Sequence, residues 1–344
     1  MKSLNLKFKT FFVLLILLFN INCLYAQSSS FYFPLDLYLD DDCALGSRAM
    51  GMGGAFTAIA DDASAFYWNP AGLGFQKGNG ISAGSSFLHC FHTATSYVNY
   101  TFPQSSISIL RTESSTQLFP SSAQLFSSSY YFNGMSDIFI SSHAISPVDF
   151  LSIGLNLKGI NVTSGNTVTV GYGCDLGVLL KTKYFNLGLD IQDLFTQIGI
   201  LKAYPRYRVG FGTNLPGNIK ISLQAEGLDL GQIPVNSRDK IRFVVPQFRA
   251  GIEKWLFDGH VGIRGGYSVI PYSIFSSVGP FYVPNEYAYL SYFSETFAFD
   301  EHRISIGASL KFKEYSLDCA CILDLPWAAP CFWFSASFMW DKTK

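Results

Sequence analysis

From about residue 80 onward, apolar and polar residues alternate with a period of two, which places one set of side chains on each face of a strand. "LSIGLNLKGI" sets Leu151, Ile153, Leu155 and Leu157 on one face and Ser152, Gly154, Asn156 and Lys158 on the other. The next segment sets Val168, Val170, Tyr172, Cys174, Leu176 and Val178 against Thr169, Gly171, Gly173, Asp175 and Gly177. "FNLGLDIQ", "RYRVGFGT", "IKISLQAE", "HVGIRGGYS" and "RISIGASLKF" repeat the arrangement, always with glycine, serine, asparagine or charge on the second face.

Strands of a soluble sandwich alternate too, so three further features decide the class. The segments run to about ten residues, enough for a tilted strand to cross the hydrocarbon layer. Aromatics crowd their ends, as in "SSYYF", "FYVPNEYAYLSYF" and "CFWFSASFMW", which suits interfacial girdles. Strands in lipid must also close on themselves, because an open edge leaves backbone groups unpaired. The segments number about 14 or 15, with 103–135 and 270–300 the hardest to divide. Single-chain bacterial barrels have even strand numbers, so the expectation is an all-β, antiparallel transmembrane β-barrel of about 14 strands.

One hairpin can be read in register. "FRAGIEKWLFDGHVGIRGGYS" carries Asp258-Gly259 as a two-residue turn, and pairing Phe257 with His260 places Glu253 opposite Arg264 on the polar face. These two are expected either as a salt-bridged pair inside the barrel or as solvated charges near a rim. The last segment sets Phe332, Phe334, Ala336, Phe338 and Trp340 on one face. It resembles the aromatic last strand by which the barrel assembly machinery recognises outer-membrane proteins, although "DKTK" follows it.

Composition agrees with a lipid-facing surface. Charged residues make up 14% of the chain and aromatics 16%, against about 25% charged in soluble domains. A net charge of −1 offers no field for nucleic acid, so no nucleic-acid partner is expected. Lys2, Lys7 and Lys9, the apolar run Phe11 to Phe19 and the small Ala26 before Gln27 have the layout of a signal peptide over residues 1–26. A lipoprotein reading through Cys23 is weaker, because Asn22 precedes it where a small residue belongs. The apolar run is too short to span a bilayer as a helix. The other six cysteines are too sparse for a disulfide framework. The pair worth testing is Cys331 with Cys319 or Cys321, across the last turn.

One stretch breaks the strand pattern. "GSRAMGMGGAFTAIADDASAFYWNPAGLGF", from Gly46 to Phe75, lies between the leader and the first strand, where a plug would sit. Gly51, Gly53 and Gly54 permit close backbone approach. Ala55 to Phe66 is expected as a short helix interrupted at Asp61-Asp62, whose carboxylates can cap the next turn, and Pro70 ends helical structure with Asn69 extended before it. The stretch "AMGMGGAFTAIADDASAFYWNPAGL" resembles the N-terminal hatch of the FadL-type outer-membrane transporters, a superfamily that includes the PorV and PorQ branch. The resemblance covers about 30 residues and implies a 14-stranded barrel, with an N-terminal hatch over residues 27–78 in the lumen of a barrel over 79–344. It also implies that Asn69, Pro70 and Ala71 hold the hatch, or make a turn the fold requires. The implied function is passive uptake of hydrophobic small molecules such as long-chain fatty acids. The alternative is a PorV-like shuttle for exported proteins, which would dock on the aromatic stretch 268–293; an open porin for polar solutes is a third reading.

No enzymatic chemistry and no cofactor is expected. Gly46 and Gly51 have phosphate-loop spacing, but Met52-Gly53 stand where Lys and Ser or Thr are needed, and no Gly-x-Ser-x-Gly elbow occurs. His89 and His92 would point to opposite faces of one strand and share no metal. Asp40, Asp41 and Asp42 lack the glycine turn and distal glutamate of a calcium loop and read as a solvated turn.

Overall fold

The computed structural model describes residues 45–88, 93–118, 130–164, 167–199, 201–203, 205–234, 240–270, 301–325 and 330–340. Several expectations lie outside these residues: the leader, Asp40 to Cys43, His89, Cys90 and His92, most of the aromatic stretch at 271–293, and the "DKTK" tail.

The strands follow one another with few interruptions. The first seven are β1 (Asn79–Leu88), β2 (Thr93–Phe102), β3 (Ser105–Leu118), β4 (Tyr130–Val148), β5 (Leu151–Ser164), β6 (Thr167–Lys181) and β7 (Phe185–Gln192). Two short strands, β8 (Gln197–Ile198) and β9 (Leu201–Lys202), come next. The chain continues through β10 (Arg206–Leu215), β11 (Ile219–Pro234), β12 (Lys240–Leu256) and β13 (Val261–Ile270). It finishes with β14 (Glu301–Phe312), β15 (Tyr315–Leu325) and β16 (Pro330–Trp340).

Each strand pairs antiparallel with its neighbour, β7 pairs with β10, and β1 closes on β16 from Asn79↔Trp340 to Phe87↔Phe332. Leaving out β8 and β9, 14 strands close the barrel, the number expected. The β8–β9 hairpin hangs on β6 through Gly171 and Tyr172 and was not foreseen. Closure leaves no free edge in the wall, as lipid requires.

The alternation read from the sequence separates the two faces. Ile153, Leu155 and Leu157 of β5 are exposed on the outside, while Ser152 and Asn156 between them are buried inside. Val209 and Phe211 on β10, Ile304, Ile306 and Leu310 on β14, and Leu317 and Leu323 on β15 extend the apolar outer wall around the barrel. The lumen instead carries charge and amide groups: Asp175, Asp190, Arg208, Gln224, Glu226, Arg249, Glu253 and Arg264 are all buried.

The two ends differ. At one end β2–β3, β4–β5, β6–β7, β10–β11, β12–β13 and β14–β15 are joined by turns of only two to four residues. At the other end the connections vary from two residues between β5 and β6 to the stretch between β7 and β10, where β8 and β9 lie.

Two expectations are corrected. The β12–β13 register is as read, with Glu253↔Arg264, but the ladder stops at Leu256↔Val261. Residues 257–260 form a four-residue turn in place of the two-residue one. Phe257, Asp258 and Gly259 all take positive φ, which lifts Phe257 out of the extended conformation a pair with His260 needs. The His260 amide then bonds the Leu256 carbonyl. The cysteine pairing also fails, for reasons of parity. Cys331 stands opposite Ile322 and is buried with it, whereas Cys321 pairs with Phe332 and Cys319 with the exposed Phe334. Cys331 therefore points to the other side of the wall from Cys319 and Cys321, and no disulfide joins them.

Candidate functional site

The site is the contact between residues 45–76 and the inner faces of the strands. This segment holds two single-turn helices, α1 (Ser47–Met50) and α2 (Ala65–Trp68), and a 3₁₀ turn, Pro70–Phe75. Its apolar side chains are almost wholly buried, including Met52, Phe56, Phe66, Trp68 and Leu73. The expected helix from Ala55 to Phe66 does not form. Gly53 and Gly54 take positive φ, and the Phe56 and Thr57 amides donate to Gln224 Oε1 on β11 at 3.1 Å each, so these donors are held by the barrel instead of by a helix. Of the two carboxylates expected to cap the next turn, Asp62 makes an Asx turn, its Oδ1 accepting from the Ser64 amide at 2.8 Å and from Ser64 Oγ at 2.6 Å, while Asp61 pairs with Arg48 and Lys220 and the N-cap of α2, Ser64, makes no side-chain cap bond.

Inward glycines make room for this backbone. Gly154 and Gly177 face each other across β5 and β6, Gly188 and Gly210 across β7 and β10, and Gly251 and Gly266 across β12 and β13. A Cβ on Gly154 would lie 2.2 Å from the Ala71 amide nitrogen, one on Gly188 2.3 Å from the Thr57 carbonyl oxygen, and one on Gly251 2.5 Å from the Met52 carbonyl oxygen. Each pair is thus a bare window in the inner wall against which the segment's main chain lies directly. Gly307 and Gly51 meet in the same way on β14.

Asn69 joins segment and wall. It is extended at φ −168°, as the residue before proline prefers. Its Nδ2 donates to the Thr57 carbonyl at 3.0 Å and to the Val178 carbonyl of β6 at 3.1 Å, and its Oδ1 accepts from the Ala71 amide at 3.1 Å. Its three neighbours on the segment are held from the wall as well: Asn156 donates to the Phe66 carbonyl at 2.7 Å, and Gln192 to that of Tyr67 at 2.6 Å. The Arg208 guanidinium lies 5.1 Å from the Trp68 ring centre and 5.4 Å from that of Tyr67.

A chain of charges ties α1 to the opposite wall. Glu253, with no exposed side-chain surface, accepts from Arg48 Nε at 2.7 Å, Arg48 Nη2 at 2.8 Å and Arg264 Nε at 2.6 Å. Arg48 also pairs with Asp61 and, at 3.2 Å, with Asp62, while Lys220 of β11 reaches Asp61 at 2.6 Å. Burial disfavours charge on Arg48, but Asp61, Glu253 and Asp62 together outweigh it and hold its pKa well above the ordinary value. Burial likewise opposes the Asp61 carboxylate, and Arg48 and Lys220 override it to hold its pKa far below the ordinary range. Glu253, wholly buried, would be costly to leave without Arg48 or Arg264.

Above the segment the polar lumen is interrupted by an apolar row on β2 to β5, and a second inward apolar group, Ala320, Ile322, Cys331 and Trp333, lies on β15 and β16. Tyr97, Leu110, Ile138 and Ile160 are consecutive cross-strand partners on β2, β3, β4 and β5, all buried and facing inward. The row continues to Gly171 of β6 and the buried Ile198 of β8. Phe66 of α2 packs against it, with its ring 5.9 Å from that of Tyr97. The flanking rows are mixed: Thr95, Thr112 and Ser136 lead to the buried Val162 on one side, and Asn99 and Ser108 lead to the buried Ile140 on the other.

No family model and no curated protein matches this sequence. Solved structures do. The monoaromatic hydrocarbon channel CymD superposes with a TM-score of 0.63 at 10% identity, covering 88% of this chain and all of that one. The toluene transporter TodX of Pseudomonas putida gives 0.59 at 10% identity, covering 86% of this chain and 98% of its own. The fold is that of the FadL-like outer-membrane channels. At such identity the likeness concerns the path of the chain and assigns no residue.

Within this FadL-like fold the structure gathers the residues singled out from sequence into one contact. Gly51 meets β14, Gly53 and Gly54 lie against β13 and Arg249, Asp61 and Asp62 share Arg48, and Asn69, Pro70 and Ala71 sit over the Gly154–Gly177 window. Glu253 and Arg264 are paired in the lumen and joined by Arg48, which the sequence reading did not include. It also missed Lys220, Gln224 and Asn156, inward residues of ordinary strands that gain a role only from what lies across the lumen. The apolar row had a signal that went unread: alternation lapses at Ile109-Leu110 and again over Ile138-Phe139-Ile140, where both strand faces are apolar.

Proposed function

We propose that this protein is a passive outer-membrane channel for uncharged hydrophobic small molecules, gated by residues 45–76 acting as a hatch, with no chemistry performed on the cargo. The observation that carries the reading is the apolar row Tyr97–Leu110–Ile138–Ile160, which together with Ile140 and Val162 packs against Phe66 of the segment inside the barrel. A polar-solute pore has no use for such a row, and ligand sites combine apolar lining with few polar groups. The neighbours' titles, a monoaromatic hydrocarbon channel and a toluene transporter, point the same way.

The charge of the cargo follows from the lumen. The guanidinium and ammonium groups buried in the lumen beside the segment, Arg48, Lys158, Arg208, Arg249 and Arg264, already have carboxylate partners. A fatty-acid carboxylate entering here would have to break one of those pairs. We therefore favour an uncharged cargo over the long-chain fatty acid that the hatch resemblance implies.

The deciding experiment is mass analysis of small molecules that co-purify with the folded, heat-modifiable protein in mild detergent, paired with uptake of toluene and of oleate by proteoliposomes. A neutral hydrocarbon bound in stoichiometric amount, with toluene entering faster than oleate, supports the proposal. Stoichiometric fatty acid overturns the charge argument, and a ligand-free barrel retaining an exported protein overturns the channel reading.

A further inference from the structure

We propose that the cargo is recognised by a hydroxyl group as well as by its apolar body, so that a neutral phenol is held through hydrogen bonds that a bare hydrocarbon cannot make. This rests on the channel reading and adds a polar element to the same place. Beside the apolar row, on the side away from the short turns, lies a row of hydroxyls. Ser86, Thr95, Thr112 and Ser136 are consecutive cross-strand partners on β1, β2, β3 and β4, all buried, in a row that runs from Trp333 on β16 to Val162 on β5. Thr95, Thr112 and Ser136 stand two residues along their strands from Tyr97, Leu110 and Ile138. They therefore share the inner face with the apolar row, about 7 Å from it. A single ring lying on the apolar row spans that distance with one substituent.

The hydroxyls of this row have bonding capacity to spare. Ser136 Oγ has no hydrogen-bond partner among the described residues. Thr95 Oγ1 and Thr112 Oγ1 bond each other at 3.2 Å, which uses one of their two protons. On the opposite flank the polar groups are committed to the segment. Asn99 Nδ2 donates to the Ala63 carbonyl at 2.9 Å and to Thr101 Oγ1 at 2.8 Å, and Ser108 Oγ donates to Asn99 Oδ1 at 2.9 Å. Ser106 and Ser142 also lack partners among the described residues, but they pair across β3 and β4 near the short turns, away from the apolar row. A buried hydroxyl without a partner is uncommon, because nothing offsets its lost hydration. A cargo hydroxyl supplies both halves of what is missing: its oxygen accepts the spare proton of the threonine pair, and its own proton goes to Ser136 Oγ. A ketone can only accept, and a hydrocarbon does neither. Aromatic neighbours favour a flat ring as the apolar body. The Tyr97 ring lies over Gly84, where a Cβ would come within 2.6 Å of its Cε1, and 5.9 Å from the ring of Phe66.

The test is equilibrium dialysis of the detergent-solubilised protein against toluene and against p-cresol at pH 7, where a phenol is un-ionised. Each variant is compared with the unaltered protein in the same detergent, so that partition into the micelle cancels. Ser136→Ala should weaken p-cresol binding roughly fivefold, the effect of one neutral hydrogen bond, and leave toluene binding unchanged. Ser136→Thr, which keeps the hydroxyl, should retain p-cresol. Heat-modifiable migration of both variants shows that the barrel is folded. Equal losses of both ligands in Ser136→Ala, or no loss of p-cresol, overturn the proposal, and the channel reading survives as long as toluene binds the unaltered protein. If the unaltered protein binds neither ligand, both fall together.

Discussion

At the scale of single residues, Asn69 does the most with the least. One planar amide satisfies the Thr57 carbonyl on its own segment, the Val178 carbonyl on the wall and the Ala71 amide beyond the proline. A shorter or apolar side chain leaves buried backbone groups unpaired, each costing about 1–3 kcal/mol. Asn69→Ala is therefore expected to lower stability by roughly 2–4 kcal/mol, read as a lower midpoint in heat-modifiability experiments. Asp61 makes a second prediction through its charge. Its folded pKa is depressed, so its contribution is complete above the unfolded value of about 4 and is lost as pH falls below that. The unfolding midpoint should drop on acidification from pH 4 toward pH 2, and Asp61→Asn should flatten that dependence. An identical slope in the variant would place the acid sensitivity elsewhere.

At the scale of elements, the segment 45–76 shows that a stretch with little regular structure can still be fully specified. Its helices are only four residues long, far below the length at which a helix stands alone. Their shape comes from the wall: Gln224 takes two amides, the glycine windows admit main chain, and Glu253 receives Arg48. The Gly-rich, Asp-Asp and Asn-Pro-Ala steps were legible as residues that allow such a path. The partners that impose it were not, because inward Gln, Glu and Gly on a strand look alike wherever they face. The β2–β5 row is the other element with a distinct task. Ile138→Thr makes it resemble the adjacent Thr95–Thr112–Ser136 row, which the strands tolerate. Retention of a hydrophobic probe such as toluene should fall about tenfold with the barrel still heat-modifiable, since the burial given up is worth roughly 1.5–3 kcal/mol. Undiminished retention would move the binding place away from this row.

At the scale of the whole molecule, a closed 14-strand wall holds residues 45–76 against the inner faces of β5, β6, β7, β10, β12, β13 and β14. Deleting residues 45–76 should convert a barrel with little steady single-channel conductance in planar bilayers into one with a large and constant conductance. Equal conductance from both proteins would show that the segment does not obstruct the pore. What the sequence determined by itself was whatever depends on local periodicity: the strands, the two faces, the even count near 14 and the Glu253–Arg264 register all follow from a side-chain period of two and the need to leave no edge in lipid. The tertiary structure alone decided which inward residues meet across the lumen. It brought Arg48 to Glu253 over a separation of 205 residues and aligned Tyr97, Leu110, Ile138 and Ile160 in one row. It also sent Cys331 to the face away from Cys319 and Cys321. Those outcomes depend on register and closure around the whole ring, and a one-residue slip in any strand would reverse its faces.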